Sequence, residues 1–130
     1  MRKKMLIVDD DPLITAYLAE IGKFCGYEVD TSDTGRNLVS HMAEFQPDTL
    51  ILDIVLPEVD GIEVLRALAA EAVQTSIILI SGFDRKLLER AQAMAMDWKL
   101  NVIGILEKPL DKNNVITCLI SPPDEINSSI

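Results

Sequence analysis

Residues 49–53 read Thr49-Leu50-Ile51-Leu52-Asp53, four residues that suit a buried strand followed by a carboxylate. A run of this length without alternation is typical of a strand buried on both faces of a parallel sheet. Ligands collect beyond the carboxyl ends of such strands, so polar residues at those ends are expected to share one edge. Three further runs have the same form: Met5-Leu6-Ile7-Val8 before Asp9-Asp10-Asp11, Ile77-Ile78-Leu79-Ile80 before Ser81-Gly82, and Val102-Ile103-Gly104-Ile105-Leu106 before Glu107-Lys108-Pro109.

Helical segments separate these strands, and residues 27–31 add one more short strand. Helix starts are predicted at Asp11-Pro12, Thr34-Gly35, Asp84 and Asp111, and another helix follows a loop over residues 56–61. Alternation of this kind indicates βαβ units with right-handed crossovers. The sequence therefore predicts an α/β fold with five parallel strands and five helices.

The composition sets the broad class of the protein. With 130 residues, of which 48% are hydrophobic, residues 1–121 can form one domain, and residues 122–130 are expected to be a linker or disordered tail. The formal net charge of −9 argues against direct binding to nucleic acid or anionic lipid, which need basic patches. No signal peptide or apolar run of membrane-spanning length is visible, so a cytoplasmic location without membrane contact is expected.

Asp9, Asp10 and Asp53 are candidate metal ligands at the shared edge. Carboxylates that converge raise one another's pKa, and a hard divalent cation such as Mg²⁺ removes this cost. Asp10 and Asp53 can supply two oxygens, and Asp9 can act through a bound water. Asp11 needs no such role, because a carboxylate before Pro12 is a typical helix cap. The alternative is that all these acids are ordinary strand-end and cap residues.

Ser81 and Lys108 are candidate ligands for a phosphoryl group at the same edge. A hydroxyl after a buried strand can hydrogen-bond a phosphoryl oxygen, although serine is also a common turn residue. Lys108 is the only basic residue at these strand ends and suits a charge partner for carboxylates and phosphate. Pro109 permits a cis peptide, which would aim the lysine into the site.

Taken together, these motifs resemble the receiver domain of two-component response regulators. The matching motifs occur in order between about residues 4 and 120: Asp9-Asp10, Leu52-Asp53-Ile54-Val55-Leu56-Pro57 with Asp60-Gly61 behind it, Ser81-Gly82, and Lys108-Pro109. The resemblance implies a flavodoxin-like three-layer sandwich in which five helices flank a parallel sheet of strand order 2-1-3-4-5.

The resemblance also implies a reaction, in which Asp53 attacks the phosphorus of a phosphohistidine on a sensor histidine kinase or phosphotransfer protein. Such a domain catalyses only its own phosphorylation and dephosphorylation, and it switches an output domain that is C-terminal or in trans. A homodimer is compatible with this behaviour. The implied ligands of Mg²⁺ are Asp10, Asp53 and the backbone carbonyl of Val55, with Asp9 acting through water; the implied phosphoryl contacts are Ser81 and Lys108.

Two features depart from the usual receiver pattern. Ile105 stands where many receivers carry an aromatic residue that turns inward on phosphorylation, and Lys108 follows Ser81 by an unusually long 27 residues. The extra length falls around residues 94–101. Residues 95–109 resemble receivers that precede EAL-type cyclic-di-GMP phosphodiesterase domains, which would make cyclic-di-GMP turnover the regulated output.

Two other functions stay open at this point. A phosphatase of the haloacid dehalogenase type could use Asp9 and Asp11 as its Asp-x-Asp motif, but it would leave Asp53 unexplained and lacks a later acidic pair. A binding module could keep the fold without being phosphorylated. The full set of acids, hydroxyl and lysine argues against such a module, and the altered position 105 argues for it.

Overall fold

The structure is a computed structural model that describes residues 2–82 and 84–120. Its elements are, in chain order, β1 (Lys4–Val8), α1 (Pro12–Phe24), β2 (Glu28–Ser32), α2 (Leu38–Phe45), β3 (Thr49–Asp53), β4 (Val55–Leu56), β5 (Val59–Asp60), α3 (Gly61–Ala70), β6 (Ser76–Ser81), α4 (Arg85–Asp97), β7 (Asn101–Glu107) and α5 (Lys112–Ile120). The predicted tail, residues 122–130, lies outside this description. Among the helices described, none combines the length and hydropathy that a membrane-spanning helix requires.

Five strands form one parallel sheet in the spatial order β2-β1-β3-β6-β7. β4 and β5 belong to a separate small hairpin, so the order of the main-sheet strands is 2-1-3-4-5 when they alone are numbered. The predicted topology is therefore confirmed.

Helices cover both faces of this sheet. Successive residues of a strand point to opposite faces, so Leu6 and Leu52 join the core under α2, α3 and α4, whereas Ile7 and Ile51 join the core under α1 and α5. The central strands β1, β3 and β6 have almost no exposed side chain because both their faces are covered. The three-layer sandwich is thus confirmed.

The predicted loop over residues 56–61 is partly wrong. β4 and β5 pair antiparallel within it, and the Asp60 carboxylate accepts a hydrogen bond from the Ile62 amide at 2.9 Å, which caps α3. Gly61 begins that helix directly against the backbone of Ile54, where a Cβ at Gly61 would lie 2.3 Å from the carbonyl oxygen. The segment after Asp53 is therefore a closed hairpin whose base admits no side chain at Gly61.

The predicted start of α2 at Thr34-Gly35 is also wrong, since the helix begins at Leu38. Side-chain hydrogen bonds occupy the residues before it: Ser32 Oγ donates to the Thr34 carbonyl at 2.9 Å, and the Arg36 amide donates to Thr34 Oγ1 at 3.1 Å. These local bonds offer the backbone an alternative to the first helical turn. The other caps are confirmed, because the carboxylates of Asp11, Asp84 and Asp111 each accept an amide hydrogen bond from the first turn of their helix.

The extra residues before Lys108 form the end of α4 and the turn that follows it. The Lys99 amide donates to the Met96 carbonyl and the Leu100 amide to the Ala95 carbonyl, at 3.0 and 2.9 Å, which is a Schellman motif. Lys99 takes the left-handed conformation that this motif requires, with φ of 69°. The buried side chain of Leu100 completes the motif by packing into the core.

Replacing Lys99 with glycine should stabilise the protein by about 1 kcal/mol, because a side chain disfavours left-handed backbone and glycine does not. Thermal or urea unfolding would measure the gain. Arg90→Gly is the control: Arg90 is exposed in the middle of α4, where glycine is expected to destabilise by about 1 kcal/mol. A Lys99→Gly variant no more stable than the wild type would contradict this account of the turn.

Candidate functional site

The sheet brings the polar residues at its strand ends to one edge. Val8 pairs with Leu52, and Asp53 pairs with Ile80, so Asp9, Asp53 and Ser81 follow one another across neighbouring strands. The shared edge predicted from the strand ends is therefore present.

Three carboxylates meet there. One oxygen from each of Asp9, Asp10 and Asp53 lies within 4.8 Å of the others. Asp9 and Asp53 are only 1% and 3% exposed, whereas Asp10 faces solvent. Two or three carboxylate oxygens with open access to water on one side fit Mg²⁺, which keeps several waters and binds few protein ligands.

Lys108 supplies the positive charge of the cluster. Its Nζ lies 2.8 Å from Asp9 Oδ2 and 2.9 Å from Asp53 Oδ2, so one ammonium bridges two buried carboxylates. The Lys108-Pro109 peptide is cis, and the Lys108 amide donates to the Ser81 carbonyl at 2.8 Å. Burial by itself lowers the pKa of Lys108, but the hydrogen bonds and charges of the two carboxylates outweigh it and raise the pKa overall. Lys108 is thus the charge partner that the sequence predicts.

Asp53 is held at both of its oxygens. Oδ1 accepts the Val55 amide at 2.8 Å, while Oδ2 accepts Lys108. The pKa of Asp53 is nevertheless raised, chiefly because burial disfavours the charged carboxylate and further because Asp9 lies nearby. Without a cation, the folded protein therefore holds a carboxylate that resists ionisation.

Replacing Asp53 with asparagine should raise the metal-free melting temperature at pH 7. A carboxyl whose pKa rises on folding stabilises the fold when protonated, and this stabilisation is lost as the pH rises through the folded-state pKa. Asparagine stays neutral, so the melting temperature of the variant should exceed that of the wild type.

Thermal unfolding in chelator at pH 7 and near pH 4 would test this expectation. The gain should shrink on acidification, as Asp53 of the wild type takes up a proton. A variant less stable than the wild type at pH 7 would mean that the Lys108 pair outweighs the cost of burying the Asp53 charge.

Ser81 completes the edge. Its side chain is fully buried, and among the described residues its Oγ has no hydrogen-bond partner. A buried hydroxyl without a partner costs roughly 1–3 kcal/mol, which an acceptor placed beside it would recover. Together with the Lys108 ammonium, this hydroxyl suits a bound phosphoryl oxygen.

Sequence reasoning missed the backbone groups that orient the acids. The Asp11 amide donates to Asp9 Oδ1 at 2.9 Å, so Asp11 orients Asp9 as well as capping α1. The Val55 amide does the same for Asp53. No side-chain pattern signals such contacts, because every residue except proline carries the same amide. The role of the Val55 carbonyl as a metal ligand stays a prediction.

Relatives of known function are similar to part of this sequence. PhoP of Bacillus subtilis, an alkaline phosphatase synthesis transcriptional regulatory protein, is 33% identical over 86 residues, which are 66% of this chain and 36% of that protein. The transcriptional regulatory protein TrcR of Mycobacterium tuberculosis is 32% identical over 81 residues, 62% of this chain and 32% of that protein. The chain spans about a third of the length of these relatives.

Solved structures extend the comparison to the whole chain. A response regulator from Colwellia psychrerythraea is 32% identical, with all of both chains covered and a TM-score of 0.77. A CheY-like receiver domain protein from Methanospirillum hungatei, 22% identical with 100% of both chains covered, has a TM-score of 0.81 and shows the shared fold. Residues 5–120 match the family described as response regulator receiver domain. The chain therefore belongs to the response regulator receiver domain family.

Proposed function

We propose that this receiver domain accepts a phosphoryl group on Asp53 in a Mg²⁺-dependent reaction and thereby switches an output. The observation that carries the proposal is the bridge that Lys108 makes between Asp9 and Asp53, beside the buried hydroxyl of Ser81. A carboxylate with a fixed ammonium and a free hydroxyl has what a phosphoryl acceptor needs, since phosphoryl transfer depends mainly on positioning and on neutralising charge.

The donor is proposed to be a phosphohistidine of a sensor histidine kinase or phosphotransfer protein. An Asp53 carboxylate oxygen attacks phosphorus, an O–P bond forms, and the N–P bond breaks with its electron pair going to the imidazole, which takes up a proton. Lys108 would neutralise charge on the phosphoryl oxygens, and Ser81 would donate its hydroxyl to one of them. The product is an acyl phosphate, whose hydrolysis releases inorganic phosphate and restores the carboxylate.

Receiver domains bind Mg²⁺ at an acidic cluster of the kind that Asp9, Asp10 and Asp53 form here. We propose Asp10, Asp53 and the Val55 carbonyl as ligands, with Asp9 holding a metal water. When bound, the cation would supply positive charge to the phosphoryl oxygens. Mg²⁺ should therefore raise the melting temperature of the wild type more than that of an Asp10→Asn variant.

The output and the location of this domain are also proposals. The likeness of residues 95–109 to receivers that precede EAL-type domains favours cyclic-di-GMP turnover, in a domain C-terminal to residues 1–121 or in trans. Residues 122–130 would then serve as the linker. We propose a cytoplasmic domain that contacts neither nucleic acid nor membrane directly, in keeping with its net charge of −9, and that can self-associate as a homodimer.

Intact mass spectrometry after incubation with Mg²⁺ and acetyl phosphate tests the proposed function. We expect one phosphoryl adduct that requires Mg²⁺ and is absent from Asp53→Asn. Mg²⁺-dependent hydrolysis of the donor that survives Asp53→Asn would favour a phosphatase that uses Asp9. If neither an adduct nor hydrolysis is observed, the remaining interpretation is a binding module that is never phosphorylated.

A further inference from the structure

The small hairpin formed by β4 and β5, residues 55–60, is attached directly to the proposed phosphoryl acceptor. The amide of Val55, the first residue of the hairpin, donates a hydrogen bond to Asp53 Oδ1 at 2.8 Å. At its other end, Gly61 is pressed against the Ile54 backbone with no room for a Cβ. The hairpin is thus held at both ends of its base, and a change at Asp53 reaches it through one hydrogen bond.

Phosphorylation alters that hydrogen bond. The Asp53 carboxylate accepts from Val55 through Oδ1. In the acyl phosphate the carboxyl group is neutral and the negative charge lies on the phosphoryl oxygens, so the charge that the Val55 amide faces moves. The anchor of the hairpin therefore changes when Asp53 is modified, whichever of its two oxygens carries the phosphoryl group.

The opposite side of the hairpin packs against the turn between β2 and α2. A Cβ on Gly35 would lie 2.9 Å from Val59 Cγ2 and 3.1 Å from Leu56 Cδ1, so the two segments are in close contact through a glycine. Arg36 and Glu58 add an exposed ion pair of 3.2 Å between them. Because the two segments are already in contact, a movement of the hairpin displaces the β2–α2 turn.

The helix that follows this turn is short. α2 has eight residues, fewer than any other helix described, and its buried residues are Leu38 and Met42. Two open pockets of about 460 and 550 Å³ border α2, the first between α2 and α3 beside Gly35 and Val59, the second at the C-terminal end of α2 beside residues 71–75. A helix of about two turns is marginal by itself, so its position depends on the segments packed against it.

We infer that phosphorylation of Asp53 is transmitted through the hairpin to the β2–α2 turn and remodels the face formed by α2 and α3. The inference rests on the proposed function and adds the route by which that site acts.

Hydrogen exchange of the whole chain tests this route, with Mg²⁺ present and with or without beryllium trifluoride as a stable stand-in for the phosphoryl group. We expect exchange rates in residues 33–40 to change by about fivefold or more, the usual scale of coupling between sites. The same preparation is tested for an acetyl phosphate adduct by intact mass. An adduct without any exchange change in residues 33–40 would overturn the inference alone, whereas no adduct would overturn the proposed function and the inference with it.

A matched pair of variants tests the contact itself. Gly35→Ala places a methyl group against Val59 and should change the affinity for beryllium trifluoride by about fivefold or more, since coupling is reciprocal. Gly22→Ala is the control. Its Cβ would lie 2.8 Å from Met5 Sδ and 3.0 Å from Val29 Cγ2, so the site is equally crowded, but Gly22 belongs to α1 and not to the proposed route. Equal affinities for the wild type and both variants would overturn the proposed contact.

Discussion

Replacing Lys108 with alanine should slow phosphorylation of Asp53 by about 10²–10³-fold, the usual loss when one preorganised charge donor is removed from a reacting site. The reason is geometric, since Nζ stands 2.8 and 2.9 Å from the two buried carboxylates and no other basic side chain among the described residues pairs with either of them. Rates of adduct formation with acetyl phosphate at saturating Mg²⁺ would measure the loss.

The same variant should be less stable without metal. Removing one partner of a buried ion pair costs about 3–5 kcal/mol, and Asp9 and Asp53 would both lose theirs. Mg²⁺ should recover much of that loss by supplying another positive charge. Lys112→Ala is the control: Lys112 is exposed and lies over the Phe24 ring at 5.3 Å, so its loss should cost less than about 1 kcal/mol. Wild-type phosphorylation rates in Lys108→Ala would show that the ammonium does not serve the reaction.

Replacing Gly61 with alanine should destabilise the protein by about 2–3 kcal/mol. The new Cβ would lie 2.3 Å from the Ile54 carbonyl oxygen and 2.6 Å from its Cα, so backbone next to Asp53 has to move. The melting temperature should fall by roughly 10 °C. Phosphorylation of the folded variant should also slow, because the displaced residue adjoins the acceptor.

Gly82→Ala is the matched control for this substitution. A Cβ there would have no described atom within 4 Å, so it would not crowd the folded protein. Alanine has a lower conformational entropy than glycine in the unfolded chain, so slight stabilisation is expected. Urea unfolding of the two variants side by side separates crowding from the general effect of replacing glycine. Equal stabilities would contradict the close packing of Gly61 on Ile54.

The sheet and its functional edge could be predicted because the type of each side chain along the sequence indicates where the strands lie and where they end. Apolar runs mark buried strands, and the polar residues that end them, Asp9, Asp53, Ser81 and Lys108, fall at one edge once the strands are parallel. The Asp11 cap was predictable for the same reason, since its carboxylate bonds the backbone two residues away.

The segments that sequence reasoning missed depend on contacts that leave no residue pattern. The hairpin has strands of two residues each, too short for any periodicity, and it is fixed by the packing of Gly61 on Ile54. The late start of α2 depends on side-chain bonds of Ser32 and Thr34 that compete with a helical turn which the sequence equally allows. The contact of Lys108 with both Asp9 and Asp53 could not be predicted from the sequence, because it depends on how closely the ends of their strands approach in three dimensions.

Reductive trapping of the phosphorylated protein with borohydride, followed by peptide mapping, is the most direct test of the central claim. Borohydride reduces an acyl phosphate to an alcohol, so a phosphorylated aspartate is converted to homoserine at its own position. The account predicts homoserine at position 53 alone, and only after incubation with both Mg²⁺ and the phosphoryl donor. Homoserine at position 9 or 10, or unmodified Asp53 in protein that carries the phosphoryl mass, would contradict it.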